Sequence, residues 1–412
     1  MKRWITVAGL GLSMALPLQA AQPGLTPDLP GAEQAIAAIE QDPAVVQAQR
    51  AVQAASHSSA MRAAGPYEWT LGATAQRRRI DGSGSTGEWA AQLERTIRIG
   101  GKAALDRDLG QAGLHQAQAE YAAARHLAAR ALLDQWLDWL SARQARATLQ
   151  AQLGFAESSV QAVQTRRKAG DASMLDVNLA QGELAAARRQ LSLAATDEAK
   201  ARVALRVRYP QLPLPELALS DPLPLDQDET QWRERIVAAS ARVRASQQAL
   251  RKAELTAQRA RADRLPDPTV GVFTASEAFR SERVVGLSLS IPLGGSYREQ
   301  ATLEALQQVE MARAGVDRER RDLEVQVASS VAEASGSLER WRLAEQSAAG
   351  AGDAVRLTQR AYSLGEADLQ TLLLVRRQSL DAVSAAASTR AEALRARYRL
   401  LIDANLIWAW ER

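Results

Sequence analysis

Two hydrophobic periods run through the chain. The first is helical. Leu132, Leu133, Trp136, Leu137 and Leu140 fall on one face at spacings of three and four, among alanines small enough for close helix approach. They lie in a proline-free stretch from Gly101 to Gly170, and a second such stretch runs from Gly295 to Gly365. These stretches predict long helices over about 102–168 and 296–362, each roughly 100 Å at 1.5 Å per residue. Gly170 and Gly365 stand where a C′ residue needs φ > 0, so the chain turns back there. Return helices are expected at about 173–208 and 367–408. Five prolines between Pro210 and Pro224 mark an irregular connector, about 209–230, expected to lie outside a helical tube with Asp226, Asp228 and Glu229 solvated. One helix from Gln231 to Arg264 completes the first return, and an N-terminal helix from Gly31 to Ala64 has the length to stack on the second.

The second period is two. Trp89, Ala91, Leu93, Ile97 and Ile99 alternate with Gln92, Glu94, Thr96 and Arg98, and Val285, Leu287, Leu289 and Ile291 alternate with Gly286, Ser288 and Ser290. Strands are expected at about 69–80, 88–99, 269–279 and 284–293, joined pairwise by Asp81–Gly87 and Arg280–Arg283. Strands of about ten residues cross an outer membrane when tilted, and a half-buried soluble sheet would show the same alternation. Arg95 falls on the apolar side, a position that suits only an interface. Arg77-Arg78-Arg79 reads equally as a solvated loop run or as a contact for lipopolysaccharide phosphates.

The pattern is duplicated. Gly100-Gly101 and Gly294-Gly295 close the two strand pairs as strand-to-helix turns. Lys168-Ala-Gly170-Asp-Ala-Ser173 matches Ser363-Leu-Gly365-Glu-Ala-Asp368, and Leu71-Gly72-Ala73 matches Val270-Gly271-Val272. The glycines are 194, 195 and 199 residues apart, one register apart from a short loop. Residues 22–225 and 226–412 are therefore two copies of one strand-hairpin and long-helix unit. The fold class is mainly α with a small β part.

Composition narrows the function. Alanine is about a fifth of the chain and aromatics are 4%, as in long coiled-coil helices. With no cysteine there is no disulfide, thiolate metal site, cysteine nucleophile or N-terminal lipid-modified cysteine. A net charge of +4 from 51 basic and 47 acidic residues does not point to nucleic acid. Lys2-Arg3, an apolar run from Trp4 to Leu16, Pro17 and then Ala20 and Ala21 read as a signal peptide over 1–21, so the chain is exported. Four strands cannot close a spanning barrel, which starts at about eight, and an open edge in lipid would leave backbone groups unpaired. If the strands span, several copies must assemble.

These residues resemble the TolC family of outer-membrane efflux ducts. The resemblance rests on Asp42-Pro43-Ala-Val-Val-Gln-Ala-Gln-Arg50, Arg264-Leu-Pro-Asp-Pro268, the glycine pairs, and Gly170-x-x-Ser173-x-x-Asp176-Val177 within the duplicated order. It implies a homotrimer with a twelve-stranded transmembrane barrel continued by an α-helical coiled-coil tunnel across the periplasm of a Gram-negative bacterium. It also implies a periplasmic adaptor and a proton-driven inner-membrane pump as partners, with outer-membrane lipid around the barrel. Docking at the tips is implied for Gly170, Asp171, Ser173, Gly365, Glu366 and Asp368, and a pore mouth at Asp176. The second repeat places Thr371 at the matching position, a departure from an acidic ring, and Asp368 could supply that charge. Pro66-Tyr-Glu-Trp69, Glu88-Trp89 and Leu93-Glu94-Arg95 leading into Gly101-Lys-Ala-Ala-Leu-Asp106 resemble the cobalt-zinc-cadmium heavy-metal efflux type, which implies heavy-metal cations as cargo.

No catalytic pattern accompanies these features: the sequence has no phosphate-binding Gly-Lys-Ser/Thr loop, no His-Glu-x-x-His and no nucleophile elbow. Conduction rather than catalysis is expected, with no cofactor. The rival readings are a periplasmic adaptor, which would carry one hairpin between compact β-rich domains, and a coiled-coil scaffold, which would need no strands.

Overall fold

The computed structural model describes residues 27–82, 84–277 and 281–410, so the leader and its Ala20–Ala21 cleavage point lie outside the described residues. The elements in chain order are α1 (Ala32–Glu40), α2 (Pro43–Ala64), β1 (Thr70–Ile80), β2 (Gly84–Thr96), α3 (Lys102–Ala169), α4 (Met174–Arg208), α5 (Glu229–Ala239), α6 (Ala241–Ala262), β3 (Thr269–Glu277), β4 (Glu282–Ser290), α7 (Ser296–Leu364) and α8 (Leu369–Asp403). α3 and α7 hold 68 and 69 residues, about 100 Å each.

Two helices expected to be continuous are broken. Asp42 leaves helical geometry and accepts the Ala44 amide at 2.9 Å, and Pro43, which has no amide to donate, starts α2. Ser240 sits at ψ 113° and accepts from Val243 at 3.3 Å, so α6 starts afresh after α5. α8 stops at Asp403 rather than running to 408. Asn405 takes φ 54°, and the Asn405 and Leu406 amides close on Ile402 and Leu401. β2 starts at Gly84, opposite Ile80, so the glycine-serine segment joins the ladder and the turn is shorter than Asp81–Gly87.

The sheet is antiparallel throughout in the order β1-β2-β3-β4, which leaves β1 and β4 as its edges. Below it α3 packs against α2, α4, α6 and α8, while α7 packs against α8, α6 and α5. α2 thus lies along α3. The end of α8 meets the start of the N-terminal helices, end to end: Trp408 donates to the Pro30 carbonyl at 3.2 Å, and Trp410 to Glu40 at 2.9 Å.

The main core lies midway along the helices, where Leu132, Leu133, Trp136, Leu137 and Leu140 are buried. Trp136 packs edge-on to Trp139 at 5.2 Å and donates to the Asp28 carbonyl at 2.8 Å. The connector belongs to this core: Tyr209, Leu212 and Leu219 are buried in it, and burial pushes the Tyr209 hydroxyl up to about 12. Its acidic end stays exposed, with Asp228 capping α5 through the Gln231 amide at 2.8 Å. Among the described residues no helix is long and apolar enough to cross a membrane.

Candidate functional site

The far ends of α3 and α7 close in the same way. Gly170 and Gly365 take φ 88° and 81°. The amides of Gly170 and Asp171 bond to Arg167 and Arg166 at 3.1 and 2.8 Å, and those of Gly365 and Glu366 to Tyr362 and Ala361 at 3.2 and 2.9 Å. Each pair is a Schellman closure, in which only glycine adopts the left-handed residue without strain.

The following helices are capped by the same chemistry in opposite order. In the first repeat Ser173 is the cap: its hydroxyl accepts the Asp176 amide at 3.0 Å, and the Asp176 carboxylate takes the Ser173 amide and hydroxyl, both at 2.8 Å. In the second repeat Asp368 is the cap, accepting the Thr371 amide at 2.7 Å. That amide and the Thr371 hydroxyl hold the exposed Asp368 carboxyl below its ordinary range. Each cap therefore pairs one carboxylate with one hydroxyl three residues apart. Asp176, expected at a pore mouth, has its carboxylate engaged in its own helix cap.

The two tips form one unit. Leu369 and Leu373 are buried against Val163, Val177 and Ala180. Arg166 lies over the Tyr362 ring at 4.9 Å, and Arg377 pairs with Glu183 at 2.7 Å. Within the run Arg166-Arg167-Lys168, Arg167 donates to the Ala172 carbonyl at 3.2 Å. Asp171, Ser173, Gly365, Glu366 and Asp368 are exposed.

At the other end, strand register sorts the side chains onto two faces. Leu71, Leu93, Val272 and Leu287 stand opposite one another across all four strands, and the row Ala73, Ala91, Thr274 and Val285 shares their face. The interleaved rows are polar or small apart from Phe273, whose ring lies over Gly286: Thr70, Glu94, Gly271 and Ser288, then Gly72, Gln92, Phe273 and Gly286. Leu71, Val285 and Leu287 are at least 75% exposed, so this apolar face is uncovered. It is bounded near the helices by Arg95, which lies 5.6 Å over Trp69, and at the far end by Trp89.

Between sheet and helices lies a charged junction that single-sequence patterns do not reveal. Lys102, with its side chain wholly buried, donates to Asp267 at 2.8 Å and to the Leu265 carbonyl at 2.6 Å. Burial alone would raise the Asp267 carboxyl; bonds from Lys102 and from the Ile99 amide at 3.1 Å outweigh it and hold the group below its usual range. Asp106 receives Arg98 at 2.9 Å and Arg259 at 2.7 Å, and Arg98 also caps the α2 carbonyls of Arg62, Ala63 and Ala64. Gly100 and Gly101 precede it at φ 64° and 77°; Gly294 and Gly295 hold the corresponding place before α7, Gly295 in extended backbone. Two of the resembling motifs, Gly101-Lys102…Asp106 and Pro266-Asp267-Pro268, meet here, and neither states locally that it will meet the other. His126 lies 3.0 Å from the buried Asp403. Among the described residues no three His, Asp or Glu side chains are grouped to hold a metal ion.

Residues 36–207 match the model of the outer membrane efflux protein family. No curated protein matches the sequence. Among solved structures, the outer membrane protein VceC from Vibrio cholerae is similar with a TM-score of 0.74 at 17% identity, covering 90% of this chain and 95% of that one. The open-state MtrE outer membrane channel of Neisseria gonorrhoeae gives 0.74 at 18% identity, covering 92% and 90%. The CmeC outer membrane channel of Campylobacter jejuni gives 0.70 at 13% identity, covering 100% and 96%. At such identities the likeness is one of fold, and it spans both repeats.

Proposed function

We propose that this chain, residues 36–207 of which match the outer membrane efflux protein family, assembles as three copies into one duct through the outer membrane of a Gram-negative bacterium. β4 of each copy pairs with β1 of the next, giving a twelve-stranded barrel with no free edge. The helices continue it as a tunnel into the periplasm. A periplasmic adaptor docks on the tips at Gly170, Asp171, Ser173, Gly365, Glu366 and Asp368, and a proton-driven inner-membrane pump supplies the substrate. The Asp176 and Thr371 positions line the periplasmic mouth. The chain performs no chemistry on its cargo.

The observation that carries this reading is the sheet: it has two unpaired edges and one continuous apolar face. From the level of Arg95 to that of Arg77, opposite Gly87, is eight residues, about 27 Å along a strand and roughly 20 Å along the membrane normal at a 40° tilt. That is of the same order as, and somewhat below, the apolar band of an outer-membrane barrel, about 25 Å tall. Edges of this kind in lipid require partners. The opposite face carries Glu88, Glu94, Glu277 and Glu282 against a single arginine, Arg78, among the described strand residues. Such a lining suits cationic cargo, heavy-metal cations included.

The test is to extract the protein from outer-membrane fractions and run it unheated and heated. A trimer that dissociates only on heating, and that conducts ions in a planar bilayer, supports the duct. A periplasmic monomer without conductance refutes it.

A further inference from the structure

The run Arg77-Arg78-Arg79 is not one patch. Strand alternation turns Arg78 to the polar face, where it pairs with Glu88 at 3.2 Å. Arg77 and Arg79 fall on the apolar face, opposite Gly87 and Ser85, whose small side chains leave the guanidinium groups open. Arg283 shares that face, opposite Ser276 and level with Trp89. Arg77 lies two residues and Arg79 four beyond the Trp89 level, about 7 and 14 Å. All three arginines are exposed, and among the described residues none accepts a hydrogen bond or ion pair from their side chains, Asp81 in the adjoining turn included.

Three unpaired guanidinium groups thus stand at the outer rim of the apolar belt, Arg283 at the Trp89 level and Arg77 and Arg79 beyond it, on the face turned away from the lumen. β1 and β4 are opposite edges of one sheet, so closing the barrel sets Arg283 of one copy beside Arg77 and Arg79 of the next. Like charges gathered at a boundary call for a counter-anion. Arginine forks bind phosphate oxygens in pairs, and Trp89 supplies the aromatic surface expected where acyl chains meet headgroups. We infer that these residues form a binding surface for the phosphate groups of the outer-leaflet glycolipid, one at each boundary between copies. The surface rests on the duct reading above, because it needs β4 beside β1 and an apolar belt in lipid.

The experiment uses detergent-purified trimer titrated with bisphosphorylated lipid A, and with the same lipid after its phosphates are removed, by native mass spectrometry. The native protein is expected to bind the phosphorylated lipid at up to one per boundary, and the dephosphorylated lipid at least about tenfold more weakly. The triple variant R77Q/R79Q/R283Q should lose that preference. R77K/R79K/R283K should keep part of it, and R78Q, on the lumen face, should keep all of it. Equal binding of the two lipids by the native protein, or equal loss in R78Q and the triple variant, overturns the proposal. The heat-modifiable trimer, read on the same samples, separates the two claims. A trimer without phosphate preference sinks only the lipid surface; absence of a trimer in the outer membrane sinks the duct and the surface with it.

Discussion

Lys102 and Asp267 are 165 residues apart in sequence and 2.8 Å apart in space, and both side chains are buried. The first residue of α3 is thereby tied to the segment leading into β3, so the two repeats are joined at the level where sheet gives way to helices. Breaking such a pair leaves an uncompensated charge inside, at a cost of about 3–5 kcal/mol. Lys102→Met should therefore lower the urea midpoint of the trimer sharply, while Lys102→Met combined with Asp267→Asn should cost less than the two single changes together. Additive losses would show that the pair is not coupled.

The same pair gives a pH dependence. The Asp267 carboxyl is held below its ordinary 3.8. A group depressed in the folded state contributes stability that is present above the unfolded-state value and lost as pH falls through the folded one. Native protein should lose stability faster than Asp267→Asn as the pH is taken below about 3.8. Parallel denaturation curves for the two proteins across that range would contradict it.

At the tips, a Cβ added to Gly170 or Gly365 meets no atom within 4 Å, so the main local penalty is the positive φ. That penalty is about 1–2 kcal/mol for a β-branched residue, too little to dissolve the proposed trimer. Gly170→Val and Gly365→Val are expected to give normal trimer yield and no efflux-dependent resistance. Normal resistance in both would remove the tips as the docking surface.

The repeat, the long helices and the glycine turns were legible in the sequence because each rests on local physics: a period, the absence of proline, a residue that tolerates φ > 0. The break at Asp42 is legible in Asp42-Pro43, a cap residue followed by a proline that suits only a helix start, whereas at Ser240 the alanine-rich pattern continues on both sides and only the capping hydrogen bond shows where the helix restarts. The resemblance puts Asp176 at a pore mouth, and the capping role of the same residue is legible in the Ser173-x-x-Asp176 spacing. The Lys102–Asp267 pair was out of reach, since nothing local states that two motifs so far apart will meet. The connector leucines were hidden by their prolines, which fix the backbone but say nothing about Leu212 and Leu219 entering the core.

Cysteine labelling can place the sheet. The chain has no cysteine of its own, so single substitutions report cleanly. Asp81→Cys and Gly82→Cys lie in the β1–β2 turn, at the end remote from the helices, and should react with an impermeant maleimide on intact cells. Reaction only after the outer membrane is breached would put that turn in the periplasm.

The acidic lumen face should set ion preference. Glu277 and Glu282 stand directly opposite each other on β3 and β4, and such carboxylates favour cations in a pore. Glu277→Gln with Glu282→Gln is expected to shift the bilayer reversal potential toward anions in a salt gradient. An unchanged potential would mean that these groups do not face the conducting path.

Barrel closure is tested most directly by disulfides between the sheet edges. β1 and β4 lie on opposite sides of one sheet, so a bond between them can form only between copies. Cysteine at Thr74 on β1, combined in turn with each position from Arg283 to Leu289 on β4, should yield covalent trimers for the positions that fall opposite in the closed ring. Monomers across the whole scan, or a ladder that runs past three chains, would contradict a closed three-copy barrel.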